Sequence, residues 1–506
     1  MSCGLLGLEG YSVFVEVDSA PGLPYWEIVG LPNAAVKESK ERVRSAIRNS
    51  GFEYPASRII VNLAPADMRK EGPIYDLAIA MGILVVSNQV ELGTLQDAVF
   101  LGELSLDGKV RAVNGILPMV IDAKERGIVK VVVPAENAKE AAYVEGMEVI
   151  SAVSLSELVK SLRGEAPLLY EENATFIPED ISVGQVDFKY IKGQSSAKRA
   201  VEIAAAGNHN LLLIGPPGSG KTMLARAVPT IIPDLSFEEA LEITKIHSIS
   251  GELKEAGIIG KRPFRSPHHS ASTAALIGGG IKARPGEVSL AHGGTLYLDE
   301  LPEFKRDTLE ALRQPIEDGI VSVARVNAKV EYPARFMLVA SMNPCPCGNY
   351  GDAENACRCT PHEISRYLSR VSSPLLDRID MHIEVSRPRY EELQKKELEE
   401  DSLSIRTRVN EARARQTARY KDKKIFPNSQ LAGDMFEVYC HLDSASERLL
   451  RAAFEAMHMS ARSHRRILMV ARTIADLGDS EAINETHIAE AIQYRTLDRK
   501  YWGGRS

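Results

Sequence analysis

The sequence predicts a multidomain α/β protein that ends in a helical part. At 506 residues the chain is too long for one hydrophobic core. An apolar strand pattern at Leu211–Ile214 runs directly into a glycine-rich loop and a helix start. From residue 389 onward the chain is highly charged and is predicted to be helical. These three observations predict separate domains around a central strand, loop and helix unit.

The loop GPPGSGKT fits the phosphate-loop pattern G-x-x-x-x-G-K-[ST] at every fixed position. Backbone N–H groups of such a loop surround phosphates, and the positive end of the next helix points at them. A glycine-rich turn that matches by chance is disfavoured, because strand, loop and helix occur in the required order. Lys221 is expected to reach the β and γ phosphates, and Thr222 to hold Mg²⁺. The predicted nucleotide-binding residues are Gly215, Pro216, Pro217, Gly218, Ser219, Gly220, Lys221 and Thr222.

The bulk composition is that of a well-folded protein, with 44% hydrophobic and 25% charged residues. A net charge of −7 argues against a nucleic-acid coat protein. This net charge does not argue against a motor that binds DNA through a few basic loops. We find no signal sequence and no run of eighteen apolar residues. We therefore expect a cytoplasmic protein with no membrane partner.

Residues 1–165 are predicted to form an α/β or α+β domain. Residues 33–49 indicate a helix capped by Asn33, residues 75–86 an apolar helix, and residues 101–110 a hairpin. Residues 166–187 carry acidic residues and prolines without clear periodicity, which is typical of a linker. The predicted ATPase core then spans 188–388, and the helical lid spans 389–506.

The first domain resembles the proteolytic domain of Lon-type proteases, whose fold is shared with the ribosomal protein S5-type superfamily. The resemblance rests on GPIYD at 72–76, on LGELSLDGKV at 101–110 and on the NGIL that follows. The Lon nucleophile serine would fall at Ile74 and its lysine partner at Leu117. Aliphatic side chains can neither attack a carbonyl nor take a proton, so peptidase chemistry is excluded at that position. We interpret the domain as a protease-like fold kept as a scaffold or interaction module.

A second apolar strand pattern, GGTLYLDE at 293–300, ends in two acids. Asp299 is expected to contact Mg²⁺ through its water shell, and Glu300 to polarise the attacking water. The alternative is a strand followed by two solvated acids, which the phosphate loop makes less favourable. A third apolar strand pattern at 336–342 is followed by Asn343.

These motifs resemble the core of AAA+ ATPases. The resemblance implies that Gln194, in IKGQ, belongs to the segment that covers the adenine, and that Asn343 is the sensor 1 residue that orients the water. In AAA+ rings an arginine from one subunit reaches the γ-phosphate held by its neighbour. The element SPLLDRID implies that Arg378 is this arginine finger, with Arg370 as the runner-up. The segment from residue 460 resembles a sensor 2 helix, which implies that Arg462 contacts the γ-phosphate of its own chain.

Two excursions resemble the helix-2 insert and the pre-sensor-1 hairpin of the AAA+ branch that contains Mg chelatase motors and MCM helicases. Residues 262–292 are glycine-rich, and residues 320–331 alternate as a short hairpin. In hexamers of that branch both loops face the central pore, where basic residues track a phosphate backbone. Solvated surface loops are the alternative. The DNA-binding candidates are Lys282, Arg284, Arg325 and Lys329.

Four of the six cysteines form a C-x-C-x₉-C-x-C array within residues 343–360. Four thiolates suit tetrahedral Zn²⁺, which would clamp a loop too polar to hold its shape by packing. The spacing departs from the usual two-residue gap, so four reduced thiols without metal are the alternative. The candidate zinc ligands are Cys345, Cys347, Cys357 and Cys359.

Over essentially its whole length the chain closely resembles the Mg chelatase-like AAA+ ATPases of the ComM (YifB) type, on RSPHHSAS, NPCPCG and SPLLDRID above all. The resemblance implies a hexamer that uses ATP and Mg²⁺ to drive branch migration of single-stranded or branched DNA during natural transformation. One alternative is a Mg chelatase-type motor that remodels a protein partner. Another is a nucleotide-switched binding module whose N-terminal domain recruits a partner that the sequence does not identify. An intact Glu300 weighs against a pure switch.

Overall fold

The computed structural model describes residues 1–179, 186–253, 257–280, 283–324, 329–352, 355–394, 397–421 and 427–502. The chain divides into two compact units. The first unit contains Met1–Ile177 and Phe237–Gly260, and the second contains Pro178–Ser236 and Lys261–Ser506. Among the described residues, no helix is both long and apolar enough to cross a membrane.

The first 177 residues combine short helices with three small sheets. One sheet has the strand order β1-β2-β4-β3, a second is the parallel set β5-β8-β9, and β6 pairs with β7 as a hairpin. The elements are β1 (Ser2–Leu6), β2 (Glu9–Ala20), β3 (Tyr25–Val29), α1 (Ala34–Asn49), β4 (Arg58–Ala64), α2 (Asp76–Val86), β5 (Val99–Phe100), β6 (Glu103–Leu104), β7 (Val110–Arg111), α3 (Ile116–Glu125), β8 (Lys130–Pro134), α4 (Ala135–Ala141), β9 (Glu148–Ala152) and α5 (Leu155–Leu162).

Local sequence signals predict several of these elements well. The Asn33 side chain accepts the Val36 N–H at 2.9 Å, which confirms it as the cap of α1. Ser154 caps α5 in the same way by accepting the Glu157 N–H. The apolar helix α2 begins at Asp76, one residue later than predicted, which is within the usual uncertainty of a helix end.

The rest of the chain is built around one parallel sheet and a set of helices. In chain order its elements are α6 (Ser195–Gly207), β10 (Leu211–Ile214), α7 (Lys221–Ala227), α8 (Phe237–Ser250), β11 (Phe264–Arg265), α9 (Thr273–Ile277), β12 (Gly278–Gly279), β13 (Arg284–Pro285), α10 (Glu287–Leu290), β14 (Thr295–Leu298), α11 (Arg306–Ala311), α12 (Arg313–Asp318), β15 (Ile320–Ala324), β16 (Lys329–Pro333), β17 (Met337–Met342), α13 (Pro361–Leu368), α14 (Ser373–Leu376), β18 (Met381–Glu384), α15 (Tyr390–Gln394), α16 (Ser402–Arg419), α17 (Gly433–Tyr439), α18 (Ser444–Met457), α19 (Ala461–Leu477), α20 (Glu485–Gln493) and α21 (Thr496–Trp502).

The parallel sheet of the second unit has the strand order β11-β14-β17-β10-β18. Strands β10, β14 and β17 are buried along their whole length, which explains their largely apolar sequences. The chain places β11, β14 and β17 on one side of β10, and β18 on the other. Ligands of such sheets bind beyond the carboxyl ends of the strands where the strand order reverses. That position is the end of β10.

Helix α8 belongs to the first unit, although the sequence places it inside the predicted ATPase core of 188–388. Its Ile243 and Ile246 are buried, and Leu241 packs against the hydrophobic core of the first unit. The Ser248 hydroxyl donates to the Glu140 carboxylate and accepts the Gly115 N–H at 3.0 Å. The first unit is therefore completed by a helix from a later part of the chain.

Two other predicted boundaries also differ from the structure. Within the predicted linker of 166–187, Leu169 and Glu171 hydrogen-bond to the backbone of β9, so this stretch packs onto the first unit. In the second unit, one hydrophobic core joins β10 to α16 and α19. The predicted ATPase core and the predicted lid of 389–506 thus form one compact unit.

Candidate nucleotide site

The predicted phosphate loop lies beyond the carboxyl end of β10, and α7 begins at Lys221. Gly215 has no room for a side chain, because a Cβ there would lie 2.1 Å from the Val385 carbonyl oxygen. Gly220 has a φ of +91°, a left-handed conformation that favours glycine. The two end glycines of the motif are thus required by packing and by backbone conformation.

Lys221 is held inside this loop. Its ammonium donates to the carbonyls of Gly215 at 2.7 Å and Pro216 at 2.9 Å, and to Asn343 Oδ1 at 3.2 Å. Burial lowers the pKa of Lys221 to about 8, against the opposing effect of the nearby carboxylates of Asp299 and Glu300. A cation in a loop of backbone groups is suited to a phosphate.

Two hydroxyl groups of the loop also fit a bound nucleotide and its metal. The Ser219 hydroxyl is buried and has no hydrogen-bond partner within the part of the chain that the structure describes. Thr222 Oγ1 lies 3.2 Å from Asp299 Oδ2. A threonine hydroxyl beside a carboxylate is an oxygen ligand set that suits Mg²⁺. Thr222 and Asp299 would therefore hold the ion between the phosphate loop and the end of β14.

The sequence reasoning missed Ser341, which supports Asp299. Its hydroxyl donates to Asp299 Oδ1, and Ser341 lies on β17 beside β14. The available signal was a polar residue inside an otherwise apolar strand pattern. Asn343 follows two residues later, at the end of β17 and against Lys221. The ends of three neighbouring strands thus bring Lys221, Asp299 and Asn343 together.

Glu300 has a backbone conformation that is uncommon for a residue other than glycine. Its φ is +53°, and such conformations cluster at functional sites. His269 Nδ1 lies 3.6 Å from Glu300 Oε2. The sequence reasoning also missed this histidine, although it lies in the RSPHHSAS motif. Both side chains line an open cavity of about 680 Å³ together with Asn343.

Gln194 contacts the phosphate loop directly. Its side-chain amide donates to the Ser219 carbonyl at 3.0 Å and to the Ser386 carbonyl. Gln194 immediately precedes α6 and has a φ of +61°. The residue therefore lies beside the phosphate loop, and its role near the adenine stays a prediction.

The two arginine-finger candidates lie in different places. Arg370 lines the same cavity as Glu300, and its Nη1 donates to both carboxylate oxygens of Glu303 at 2.9 Å. Arg378 lies just before β18. Its side chain is 8% exposed, and its guanidinium pairs with Glu317 and donates to the Pro374 carbonyl at 2.7 Å.

Arg378 lies at the amino ends of the sheet strands, whereas the phosphate loop lies at their carboxyl ends. Two residues beyond it, Asp380 accepts the Asn210 N–H at 2.7 Å, at the start of β10. Because β10 and β18 are parallel, this edge is separated from Gly215 by the length of β10, about 13 Å at ~3.3 Å per residue. Arg378 is thus remote from the phosphate loop of its own chain, whereas Arg370 is close to it.

The structure corrects the expected position of Arg462. The resemblance implies that Arg462 contacts the γ-phosphate of its own chain, but Arg462 Nη2 lies 3.7 Å from Glu317, the partner of Arg378. One helical turn further along α19, Arg466 pairs with Asp380. These contacts fix the start of α19 at the edge where β10 begins. Arg462 therefore belongs with Arg378, on the side of the sheet away from its own phosphate loop.

These side chains form part of a basic cavity of about 430 Å³. The cavity also contains the carboxylates of Glu317, Asp318 and Asp380, so its basic excess is two charges. Its arginines are Arg335, Arg378, Arg462, Arg465 and Arg466.

The two predicted excursions are in contact with each other. Strands β15 and β16 pair as an antiparallel hairpin, and β12 and β13 form a short ribbon. The Tyr332 hydroxyl on β16 donates to the Ala283 carbonyl beside β13 at 2.7 Å. Arg284 is exposed on this ribbon. Lys282, Arg325 and the side chain of Lys329 lie outside the described residues.

The four predicted zinc ligands come together in one cluster. Their Sγ atoms all lie within 4.8 Å of one another. The cluster directly follows Asn343 in the chain.

The pKa of Lys221 predicts a pH dependence of nucleotide binding. Below pH 8 the ammonium is charged and can pair with phosphate; above pH 8 the unbound protein loses this charge. Binding then requires uptake of a proton, so the affinity for ATP should fall by up to about tenfold per pH unit. Calorimetric titration between pH 7 and 9.5, in buffers of different ionisation enthalpy, measures both effects. An affinity that stays constant over this range, with no proton uptake, would contradict the assignment.

Comparisons with known proteins identify the family of the chain. Residues 187–393 match the family described as "Magnesium chelatase, subunit ChlI", residues 15–137 match "Subunit ChlI of Mg-chelatase", and residues 399–495 match "Magnesium chelatase, subunit ChlI C-terminal". A Lon protease of Lachnoclostridium phytofermentans is 28% identical over an alignment of 174 positions that covers 31% of this chain and 21% of that protein.

Two relatives match almost from end to end. The YifB protein of Escherichia coli K12 is 44% identical over 495 residues, 98% of this chain and 96% of that protein. The competence protein ComM of Haemophilus influenzae is 42% identical over 500 residues, 98% of this chain and 96% of that protein. The chain therefore belongs to the ComM/YifB family of Mg chelatase-like proteins, a membership that suggests an ATPase using ATP and Mg²⁺.

Proposed function

We propose that the chain is one subunit of a hexameric AAA+ ring that hydrolyses ATP and moves single-stranded or branched DNA. The observation that carries the proposal is the placement of the catalytic groups at two opposite edges of one sheet. Lys221, Thr222 and Asp299 lie at the carboxyl edge, whereas Arg378 lies at the amino edge. A nucleotide bound at the first edge can therefore meet Arg378 only from a neighbouring subunit. Repeated head-to-tail contacts of this kind generate a ring.

Each residue has a defined part in the proposed reaction. Lys221 neutralises charge on the phosphates, and Asn343 orients the attacking water together with Glu300, which accepts its proton. Thr222 and Asp299 would hold Mg²⁺, which would supply positive charge against the phosphate oxygens. Arg378 of the neighbour stabilises the charge that develops in the transition state. Arg370 lies in the cavity of Glu300, so we place it on the subunit that binds the nucleotide.

The DNA part of the proposal rests on the relative that is named as a competence protein and on the two excursions at 262–292 and 320–331. A full-length relative is named as a competence protein, which favours a role in DNA uptake and recombination. The β15–β16 hairpin and the neighbouring β12–β13 ribbon are joined through Tyr332, and Arg284 is exposed on the ribbon, which supports a contact with a phosphate backbone. We propose branch migration of recombination intermediates as the outcome of this contact.

We propose a supporting role for the first unit. Ile74 and Leu117, at the positions of the Lon nucleophile and its lysine, are buried aliphatic side chains. Neither provides a nucleophile or a base. The unit is thus a scaffold or a docking module and not a peptidase.

The direct test is ATP turnover with and without single-stranded or branched DNA, together with strand exchange on a synthetic three-way junction. We expect DNA to stimulate turnover and ATP to drive movement of the junction. Turnover without either effect would contradict the DNA motor. It would favour a Mg chelatase-type motor that remodels a protein partner, in line with the family descriptions.

Removal of the basic residues of the hairpin should weaken DNA binding selectively. A double Arg325→Ala, Lys329→Ala variant should lower the slope of log affinity against log salt by about 0.7 for each lost phosphate contact on a single strand. Its ATP turnover without DNA should stay unchanged. Fluorescence anisotropy at several salt concentrations measures the slope.

A charge-matched control is the double Arg448→Ala, Arg451→Ala variant, which removes two exposed arginines from α18. The control should bind DNA with the slope of the unaltered protein. Equal slopes in the hairpin variant and in the unaltered protein would contradict the assigned contact.

A further inference from the structure

The cysteine cluster has the dimensions of a metal site and not of a disulfide. Three of its Sγ–Sγ separations are 3.3, 3.7 and 3.6 Å. A disulfide needs about 2.05 Å between its sulfur atoms. Four thiolates at about 2.3 Å from Zn²⁺ in a tetrahedron lie about 3.8 Å from one another. The observed separations are close to the tetrahedral value.

The loop that carries the cluster has few other means of keeping its shape. Among the described residues between β17 and α13 there is neither a helix nor a strand, and most side chains there are small or polar. Cys345 is buried, whereas Cys347, Cys357 and Cys359 are half-buried. The Tyr350 N–H points at Cys345 Sγ at 3.3 Å, a contact of the kind that stabilises a metal-bound thiolate. Besides the cluster, the loop is held by Arg387, which contacts Asn349 and Asp352, and by the packing of Tyr350 against Tyr501.

The same loop packs directly on the phosphate loop. Gly348 has a φ of +80°, and a Cβ at this position would lie 2.3 Å from Pro217 Cδ. Asn343, two residues before the first cysteine, accepts a hydrogen bond from Lys221. Pro346, between the first two cysteines, lines the cavity of Glu300. The loop that carries the cluster thus contacts the phosphate loop and lines the cavity of Glu300.

We propose that Zn²⁺ bound by Cys345, Cys347, Cys357 and Cys359 fastens this loop against the phosphate loop, so that ATP binding and turnover depend on the metal. The inference rests on the proposed nucleotide site. The ion is structural, because four thiolates fill a tetrahedral zinc site and leave no position open for substrate.

Metal analysis of the purified full chain tests the site itself. We expect about one zinc ion per chain, given four thiolate ligands for one tetrahedral ion. Cys357→Ser and Cys359→Ser should lose it, whereas Cys440→Ser, a change at a buried cysteine outside the cluster, should keep it. Cobalt added to the zinc-depleted protein should give the visible absorption of a tetrahedral thiolate site. Protein that contains no zinc, and that takes up neither zinc nor cobalt, would overturn the proposal.

Nucleotide affinity tests the coupling. Removal of zinc by a chelator should weaken binding of a fluorescent ATP analogue by about tenfold or more, and added Zn²⁺ should restore it. If the zinc-loaded protein does not bind nucleotide at all, the proposed function fails while the metal site stands. If zinc-depleted protein binds and hydrolyses ATP like the zinc-loaded form, the coupling fails while the proposed function stands.

A glycine pair provides a test that keeps all four cysteines. Gly348→Ala should retain zinc but lose nucleotide affinity, because its Cβ would displace Pro217. Gly351→Ala is the matched control, since Gly351 also has a φ of +80° but its Cβ would meet only the flexible end of Lys500 at 3.3 Å. Equal affinities in the two variants would contradict the contact through which we expect zinc to act.

Discussion

A Glu300→Gln variant is expected to bind ATP but to hydrolyse it about 10²–10⁴ times more slowly, which is the usual contribution of a general base. Glutamine has nearly the same shape and still reaches the water, but it cannot accept the proton. The phosphate loop is unchanged, so the dissociation constant for ATP should change little. Steady-state phosphate release and binding of a fluorescent ATP analogue measure the two quantities.

Glu303→Gln is a control within the same cavity. Its carboxylate is committed to Arg370, so this change should cost less than about tenfold in turnover. The comparison separates the role of Glu300 as a base from a general loss of negative charge. Turnover by Glu300→Gln at the rate of the unaltered protein would show that the base is another group.

An Arg378→Ala variant is expected to lose about 10³-fold or more in turnover while each chain still binds ATP, as for other supplied arginines in phosphoryl transfer. Arg378 is at the sheet edge away from its own phosphate loop, so the change leaves the bound nucleotide's contacts within the chain intact. The partner that it leaves, Glu317, is 47% exposed and can be solvated. Folding should therefore be preserved.

Arg451→Ala is a control for the loss of one arginine elsewhere in the same unit, since Arg451 and its ion-pair partner Glu447 are both exposed. It should leave turnover unchanged. Thermal denaturation and light scattering check that both variants fold and assemble like the unaltered protein. An Arg378→Ala ring with normal turnover would remove Arg378 from the mechanism.

The nucleotide site could be predicted closely because its signals are local. The phosphate loop, the acids after β14 and the asparagine after β17 each follow directly from an apolar strand. Parallel strands place such ends at one end of a sheet, and the roles predicted for Lys221, Asp299 and Asn343 all concern one nucleotide. In the structure Lys221 donates a hydrogen bond to Asn343. Thr222, the next residue along the chain, donates a hydrogen bond to Asp299.

The position of Arg462 could not be predicted in the same way. It depends on which edge of the sheet α19 contacts, and this is decided by pairs distant in the sequence, such as Arg466 with Asp380 and His209 with Thr473. No periodicity in α19 encodes these partners. The family resemblance places Arg462 at the γ-phosphate of its own chain, and the structure does not support this position.

The placement of α8 shows the same limit at the level of domains. This helix has apolar residues such as Ile243 and Ile246. In the sequence it lies between two motifs of the ATPase. Order along the chain therefore assigned it to the ATPase core. Its buried polar contact, between Ser248 and Glu140, joins residues 108 positions apart. A prediction that treats each segment of the sequence separately cannot detect such a contact.

The most direct test of the central claim, that each nucleotide site is completed by a neighbouring chain, is ATP turnover in a mixture of Arg378→Ala and Lys221→Ala subunits. Neither variant should turn over ATP alone. In rings formed at random from equal amounts, about a quarter of the interfaces join an intact phosphate loop to an intact arginine finger. The account predicts that mixing restores turnover in proportion to these interfaces. A mixture no more active than the sum of its two components would contradict it.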